Sequence, residues 1–266
     1  CEKSSSLRDS DDTSGWRIRC RVHDRFATEH QIRQKLAFLE QRPDELTRAA
    51  EIMSHSIMGQ RNIFVFGASH AGILAEEMSY RAGGLAIINP LFTPALMLNV
   101  RPLTLTSAVE NVEHLGRVLV EQSPLRAEDT LLIHSVSGRN AITIDVALAA
   151  KACGATVIAI TSLATAARVT SRHSSGKLLV DVADITIDNH CEYGDAAVSL
   201  PGMAQKAAPL STIMGATIAN SLVLRICEIM LENARTPPIL ASANIDGNQE
   251  INQDILSAYR SQIHYL

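Results

Sequence analysis

Short, continuous apolar runs alternate along this chain with longer stretches whose apolar positions recur at helical spacing. The stretches "NIFVFGASH" (62–70), "DTLLIHS" (129–135), "ATVIAITS" (155–162) and "VADITIDN" (182–189) are of the first kind. The first three are apolar on successive positions and close on small or polar residues, as strands buried on both faces do, and the last is read as another strand. The second kind begins with "TEHQ" (28–31), which has capping-box form and leads into Ile32, Leu36 and Leu39. Pro43 interrupts, and "DELTRAAEIMSHSIM" (44–58) resumes the helical period. Further helices are predicted over "AGILAEEMSYRAGG" (71–84), "TSAVENVEHLGRVLVEQ" (106–122), "NAITIDVALAAKACG" (140–154) and "STIMGATIANSLVLRICEIMLEN" (211–233). Strand–helix alternation of this type predicts an α/β fold, a three-layer αβα sandwich around a mainly parallel, Rossmann-like sheet. No internal repeat of fixed short period is visible.

Residues 1–27 break the pattern. They are polar, rich in serine and aspartate and without periodicity, so a disordered tail or remnant is expected there, followed by a single domain over 28–266. A second reading takes Cys1, with the serines behind it, as a lipidated terminus.

Composition narrows the function classes. The chain has 266 residues, enough for one α/β domain with a well-buried core. Its formal net charge is −4, from 24 Lys and Arg against 28 Asp and Glu, and aromatics make up 4%. With neither a basic stripe nor stacking platforms, nucleic acid is not the expected partner. Five cysteines are scattered without a C-x-x-C pair, which suits a reducing cytoplasm and argues against metal knuckles. No uninterrupted apolar run has the length of a membrane span, and none is expected.

Ligands of parallel sheets sit at the carboxyl ends of the strands. Three such ends carry small or polar residues: "GASH" (67–70) with Ser69, "HSVSGRN" (134–140) and Thr161-Ser162. In the second, Ser135 and Ser137 offer hydroxyls, Gly138 allows close approach, and a helix starting near Asn140 presents free N–H groups suited to an anion. The loop lacks both the dinucleotide and the nucleoside-triphosphate glycine patterns, so a single phosphate monoester fits best and no cofactor is expected. An ordinary serine-capped helix start is the alternative. Arg139 either adds a charged phosphate contact or is a solvated side chain.

These stretches carry a resemblance. Residues 60–266 resemble the sugar isomerase (SIS) superfamily, whose phosphosugar sites use an S-x-S-G-x-[TS] loop, and within it an uncharacterised branch. "GASHAGILAEEMSYRAGGL", "SVSGRN", "TSRHSSGKLLVDVADITIDN", "GDA" and "PPILASANIDGN" carry the likeness. Asn140 departs from the pattern, standing where isomerase relatives have Thr or Ser. The resemblance implies a phosphorylated sugar as ligand, a homodimer or larger homo-oligomer, and aldose–ketose or amino-sugar isomerisation by a glutamate. The alternatives are a lyase or etherase, or a sensor without catalysis.

For the base, Glu77 or Glu76 resembles the "AEE" glutamate of the sedoheptulose 7-phosphate isomerases. Glu110, in "TSAVENVEHLG", resembles the acid/base of the N-acetylmuramic acid 6-phosphate etherases, while Ser107 and Glu110 also form a capping box. His70 and His173 come from polar loops and are candidates for opening the sugar ring. His70 precedes Glu77 by seven residues, about 10 Å of helical rise, too far for one ion, so no metal is expected. The "SRHSSGK" loop (171–177), with Arg172, His173 and Lys177, is expected to face an anion or a subunit boundary.

Overall fold

The structure, a computed structural model, describes residues 26–266 apart from Arg42. The tail expected over 1–27 lies almost wholly outside the described residues.

Two helices lead in, α1 (Ala27–Gln41) and α2 (Asp44–Met58). Strand β1 (Ile63–Gly67) then passes through a 3₁₀ turn (Ser69–Gly72) into α3 (Ile73–Met78), and β2 (Ile88–Pro90) follows. Next come α4 (Leu105–Val109), α5 (Leu115–Glu121), β3 (Thr130–His134), α6 (Ala141–Ala152), β4 (Thr156–Thr161) and the single turn α7 (Leu163–Ala166). The chain continues through β5 (Ile185–Asp188), a hairpin of β6 (Ala196–Val198) and β7 (Ala207–Pro209), α8 (Ser211–Glu232) and α9 (Asn248–Ala258).

Five strands form one parallel sheet in the order β2-β1-β3-β4-β5, and β6 and β7 pair antiparallel beside it. Alternate residues of each strand face opposite layers. Ile63, Val65, Leu132, Ile158, Ile160, Ile185 and Ile187 pack under α2, α3 and α8. Phe64, Phe66, Leu131, Ile133, Val157 and Ala159 pack under α5 and α6. The αβα sandwich expected from the pattern is therefore the fold observed. Helix α8 is long and apolar enough by composition to cross a bilayer. Here Ile218, Leu222 and Ile226 are fully buried in the core, each contributing about 1.5–3 kcal/mol by leaving water.

The sequence pattern and the structure part company at three helices. Thr28 lies inside α1, so the "TEHQ" capping box does not form. The helix expected over 71–84 ends at Met78, with Ser79 extended. The helix expected over 106–122 is broken in two, with His114 in the left-handed region at φ 70°. That break has a tertiary cause. The Ile142 amide donates to the Glu110 carbonyl (3.1 Å), which turns the chain at Glu110 toward the start of α6.

Candidate functional site

β1 and β3 run in register, Gly67 beside His134, and Ile160 of β4 pairs with His134 in turn. The three loops singled out from sequence therefore leave the sheet side by side. The middle one carries the most unspent hydrogen-bonding capacity. Among the described residues, the amides of Ser137, Arg139, Asn140 and Ala141 have no acceptor. They lie where the loop enters α6, a twelve-residue helix whose N-terminus adds partial positive charge.

The loop's shape rests on Gly138, at φ +58°, where a Cβ would stand 3.0 Å from the Leu179 Cβ. Backbone conformation and space both require glycine there. The Gly138 amide donates to Ser135 Oγ (3.3 Å), and Thr161 Oγ1 donates to the Val136 carbonyl (3.2 Å). Ser162 is fully buried; its Oγ donates to the Cys191 carbonyl (2.6 Å) and accepts from the Thr165 amide (3.1 Å). Thr161 and Ser162 thus shape the loop with hydroxyls already in use, whereas Ser137 keeps its hydroxyl free of any partner among the described residues. Arg139 adjoins it with a buried Nε that is likewise unpartnered.

Glu110 joins this loop from thirty residues upstream. Its Oε2 accepts from Asn140 Nδ2 at 2.5 Å, and Asn140 Oδ1 accepts from Arg172 at 3.0 Å. Burial pushes the Glu110 carboxyl above the usual carboxylate range, and the opposing pull of the Arg172 charge and the Asn140 hydrogen bond is smaller. The capping box suggested by Ser107 is not formed; Ser107 is inside α4.

Asn140 thus forgoes capping its own helix to hold Glu110. An Asn at this position is what makes the link: its amide donates to the acid while its carbonyl oxygen accepts from the guanidinium.

Arg172 also donates its amide to the Arg139 carbonyl (2.9 Å). Its neighbours are tied down separately. Ser174 donates to Glu113 through its amide (2.7 Å) and its hydroxyl (2.6 Å). Those bonds, the hydroxyl's first, hold the Glu113 carboxyl below its usual range.

The remaining candidates sit elsewhere. Glu77 is paired with Arg81 and lies near Asn220 of α8. Glu76 is exposed at a small cleft with Ser69, Phe92 and Met97. His70 is exposed, and Ser69 accepts a long bond from Thr106 (3.4 Å). His173 does not face the serine loop: its Nε2 lies 3.0 Å from Asp145 Oδ1 and its Nδ1 accepts from the Ser175 amide at 3.0 Å. His134 is buried, bonded to the Ala71 carbonyl at 3.1 Å, with its pKa lowered chiefly by burial. Among the described residues, no three His, Cys, Asp or Glu side chains converge as metal ligands do. Sequence reasoning missed Glu113 and Asp145. The first sits in a charged segment; the second is concealed in the apolar run "AITIDVALAA".

A strand, a serine–glycine loop and a helix start holding unpaired amides define an α/β protein with a sheet edge whose free donors are chemically suited to an anion. Residues 29–162 match the SIS domain model. A UPF0309 protein of Shouchella clausii is 51% identical over 83% of this chain and 90% of its own length. One of Oceanobacillus iheyensis is 48% identical over 85% and 92%. The chain belongs to the SIS-domain family and, within it, to the UPF0309 proteins. Similar solved structures include the phosphoheptose isomerase of Neisseria gonorrhoeae, with 20% identity, 77% of this chain and 96% of that one covered, and TM-score 0.49. Another is the Vibrio vulnificus NanR protein complexed with ManNAc-6P, with 13% identity, coverage of 87% and 69%, and TM-score 0.48.

Proposed function

We propose that this protein binds a phosphorylated sugar at residues 135–141 and isomerises it between aldose and ketose (or amino-sugar) forms. In this reading Glu110 moves the proton between adjacent carbons. The observation that carries the reading is the Glu110–Asn140 hydrogen bond at the mouth of the loop. It puts a half-buried carboxylate, its pKa raised toward the working range of a base, beside amides free to take an anion. The phosphate lies against the amides of Ser137, Arg139, Asn140 and Ala141, with the Ser137 hydroxyl and the Arg139 and Arg172 guanidinium groups adding donors. Glu110 displaces Glu77 as the favoured base, because Glu77 is occupied by Arg81 on the side facing α8. His70, exposed on the neighbouring strand end, is the remaining candidate for opening the ring.

The reading extends to assembly and compartment. On α8, Leu224 and Leu231 are 64% and 63% exposed, which supports burial against a second copy. Cys153, Cys191 and Cys227 are free thiols, in keeping with a reducing cytoplasm.

The test is a panel of hexose, pentose, heptose and amino-sugar phosphates incubated in D₂O and followed by proton NMR. Interconversion with deuterium entry at the second carbon, lost in Glu110→Gln and kept in Glu77→Gln, is expected. Loss of a side group instead of interconversion identifies an eliminating enzyme with the same base. Tight binding without turnover of any member leaves a sensor of phosphosugars.

A further inference from the structure

The segment between α4 and α5 spends two carboxylates on its neighbours. Glu110 meets Asn140, and three residues on, Glu113 gives both oxygens to one residue of the facing loop. Its Oε1 accepts from the Ser174 amide (2.7 Å) and its Oε2 from the Ser174 hydroxyl (2.6 Å). These bonds close a ring. It runs from Glu110 through Asn140 to Arg172, along the loop to Ser174, across to Glu113 and back along the chain.

The backbone of this segment does not need the ring, because α6 already holds it at both ends. The Ile142 amide bonds the Glu110 carbonyl, and at Gly116 a Cβ would lie 2.5 Å from the Ile142 carbonyl oxygen. Side chains are what remain to be fixed. Glu110 Oε2 is taken by Asn140, and its Oε1 has no partner among the described residues. Arg172, which steadies Asn140, is exposed, and its guanidinium contacts, to Asn140 (3.0 Å) and Asn111 (3.5 Å), are with neutral oxygens. A solvated guanidinium gains little from such contacts against the rotamer freedom it gives up. It stays only where its loop is held in place.

We propose that Glu113 is a positioning residue for Glu110: by clasping Ser174 it keeps Arg172 on Asn140, and Asn140 thereby keeps Glu110 Oε1 free for the sugar. The inference rests on the reading of Glu110 as the proton-transferring group. Glu113 itself touches no reacting atom.

Charged groups come from every side: Arg139 of the serine loop, Arg172 and His173 of the facing loop, Asp145 of α6, and Glu113 and His114 of the segment itself. Arg172 is the one that draws the Glu110 carboxyl down. Releasing Arg172 therefore sends the Glu110 titration to higher pH, whereas deleting a neighbouring carboxylate by itself sends it lower. The sign separates the two effects.

The full chain, labelled with ¹³C at its glutamate carboxyls and free of sugar, is titrated by NMR, with Glu110 assigned from the signal missing in Glu110→Gln. Glu113→Ala is expected to move the Glu110 midpoint to higher pH, and Glu113→Gln, which keeps one acceptor, to move it less. Arg172→Gln should also move it upward. Adding Glu113→Ala to that variant should move it no further upward, since the clasp acts through Arg172. An unmoved or lowered midpoint in Glu113→Ala, or additive upward shifts in the double variant, overturns the proposal. The free protein gives this answer, so it is separate from a failure of turnover in the sugar panel, which overturns the reaction at Glu110.

Discussion

Glu110 and Asn140, thirty residues apart, are joined by a 2.5 Å hydrogen bond in which the Asn140 side-chain amide, just ahead of α6, donates to the acid. The acid stands beside the loop's free amides only because the helix between 106 and 122 is broken. In the proposed reaction, Glu110→Gln should lower turnover about 10²–10⁴-fold and leave sugar-phosphate affinity nearly unchanged. Steady-state kinetics beside titration calorimetry of the same variant measures both quantities.

The same acid shapes the dependence of stability on pH. Its carboxyl is raised above the ordinary 4.5, chiefly by burial. Between the ordinary and the raised value the native state holds the proton more tightly than the unfolded chain does. Stability from this group is therefore full below the ordinary value and is lost as pH rises through the raised one. Glu110→Gln removes that slope. Urea midpoints of wild type and variant, compared from about pH 4 to 7, should diverge in the variant's favour as pH increases; parallel curves contradict the assignment.

Gly138→Ala places a side chain on a residue at φ +58° with Leu179 at 3.0 Å. A non-glycine residue held in this region costs about 1–3 kcal/mol, to which the crowded contact adds. The urea midpoint should fall accordingly, and sugar-phosphate affinity should fall with it because the amides around residue 138 lose their alignment.

Asp195 closes the start of α8. Its Oδ1 accepts from the amides of Leu210 (3.2 Å) and Ser211 (2.9 Å), and its Oδ2 from the Ser211 hydroxyl (2.6 Å). Asp195→Ala should cost about 0.5–2 kcal/mol in chemical denaturation. Asp195→Asn keeps an acceptor for the amides and tolerates the residue's φ of 66°, so it should recover part of the loss.

Leu224 and Leu231 stand outward one above the other on α8, two turns apart. If a second copy covers them, Leu224→Glu should shift the mass in light scattering from an oligomer to a monomer at micromolar concentration, without loss of helical signal. A wild type already monomeric at that concentration rejects the assembly.

Much of this molecule can be read without its structure, for a physical reason. Strands β1, β3 and β4 are buried on both faces, so their sequences are continuous apolar runs and their polar ends mark the sheet edge directly, while β5, at the end of the sheet, alternates buried isoleucines with half-buried Thr186 and Asp188. The serine loop is contiguous in sequence and therefore visible as a unit. What escaped depends on contacts between distant residues. β2 is three residues long, and its Asn89 is held by carbonyls of Ile63, Ile87 and Gln262, which no local pattern encodes. α9 has no buried residue, so its apolar period is faint. The position of the Glu110 carboxyl beside the serine loop, on which the proposed function rests, follows from where the helix breaks. That break comes from a bond to α6, whereas local propensity favours an unbroken helix.

The loop around residue 173 is pinned at three consecutive positions: Arg172 to Asn140 at the start of α6, His173 to Asp145 within α6, and Ser174 to Glu113 just ahead of α5. Anchors on two separate elements at successive residues tie the loop to both. Opening it requires all three to release together, so its amides should exchange with solvent as one cooperative unit, at one rate, although the segment is largely exposed. The Arg172 amide, bonded to the Arg139 carbonyl, then becomes a clock for the whole seam between the serine loop and the start of α5.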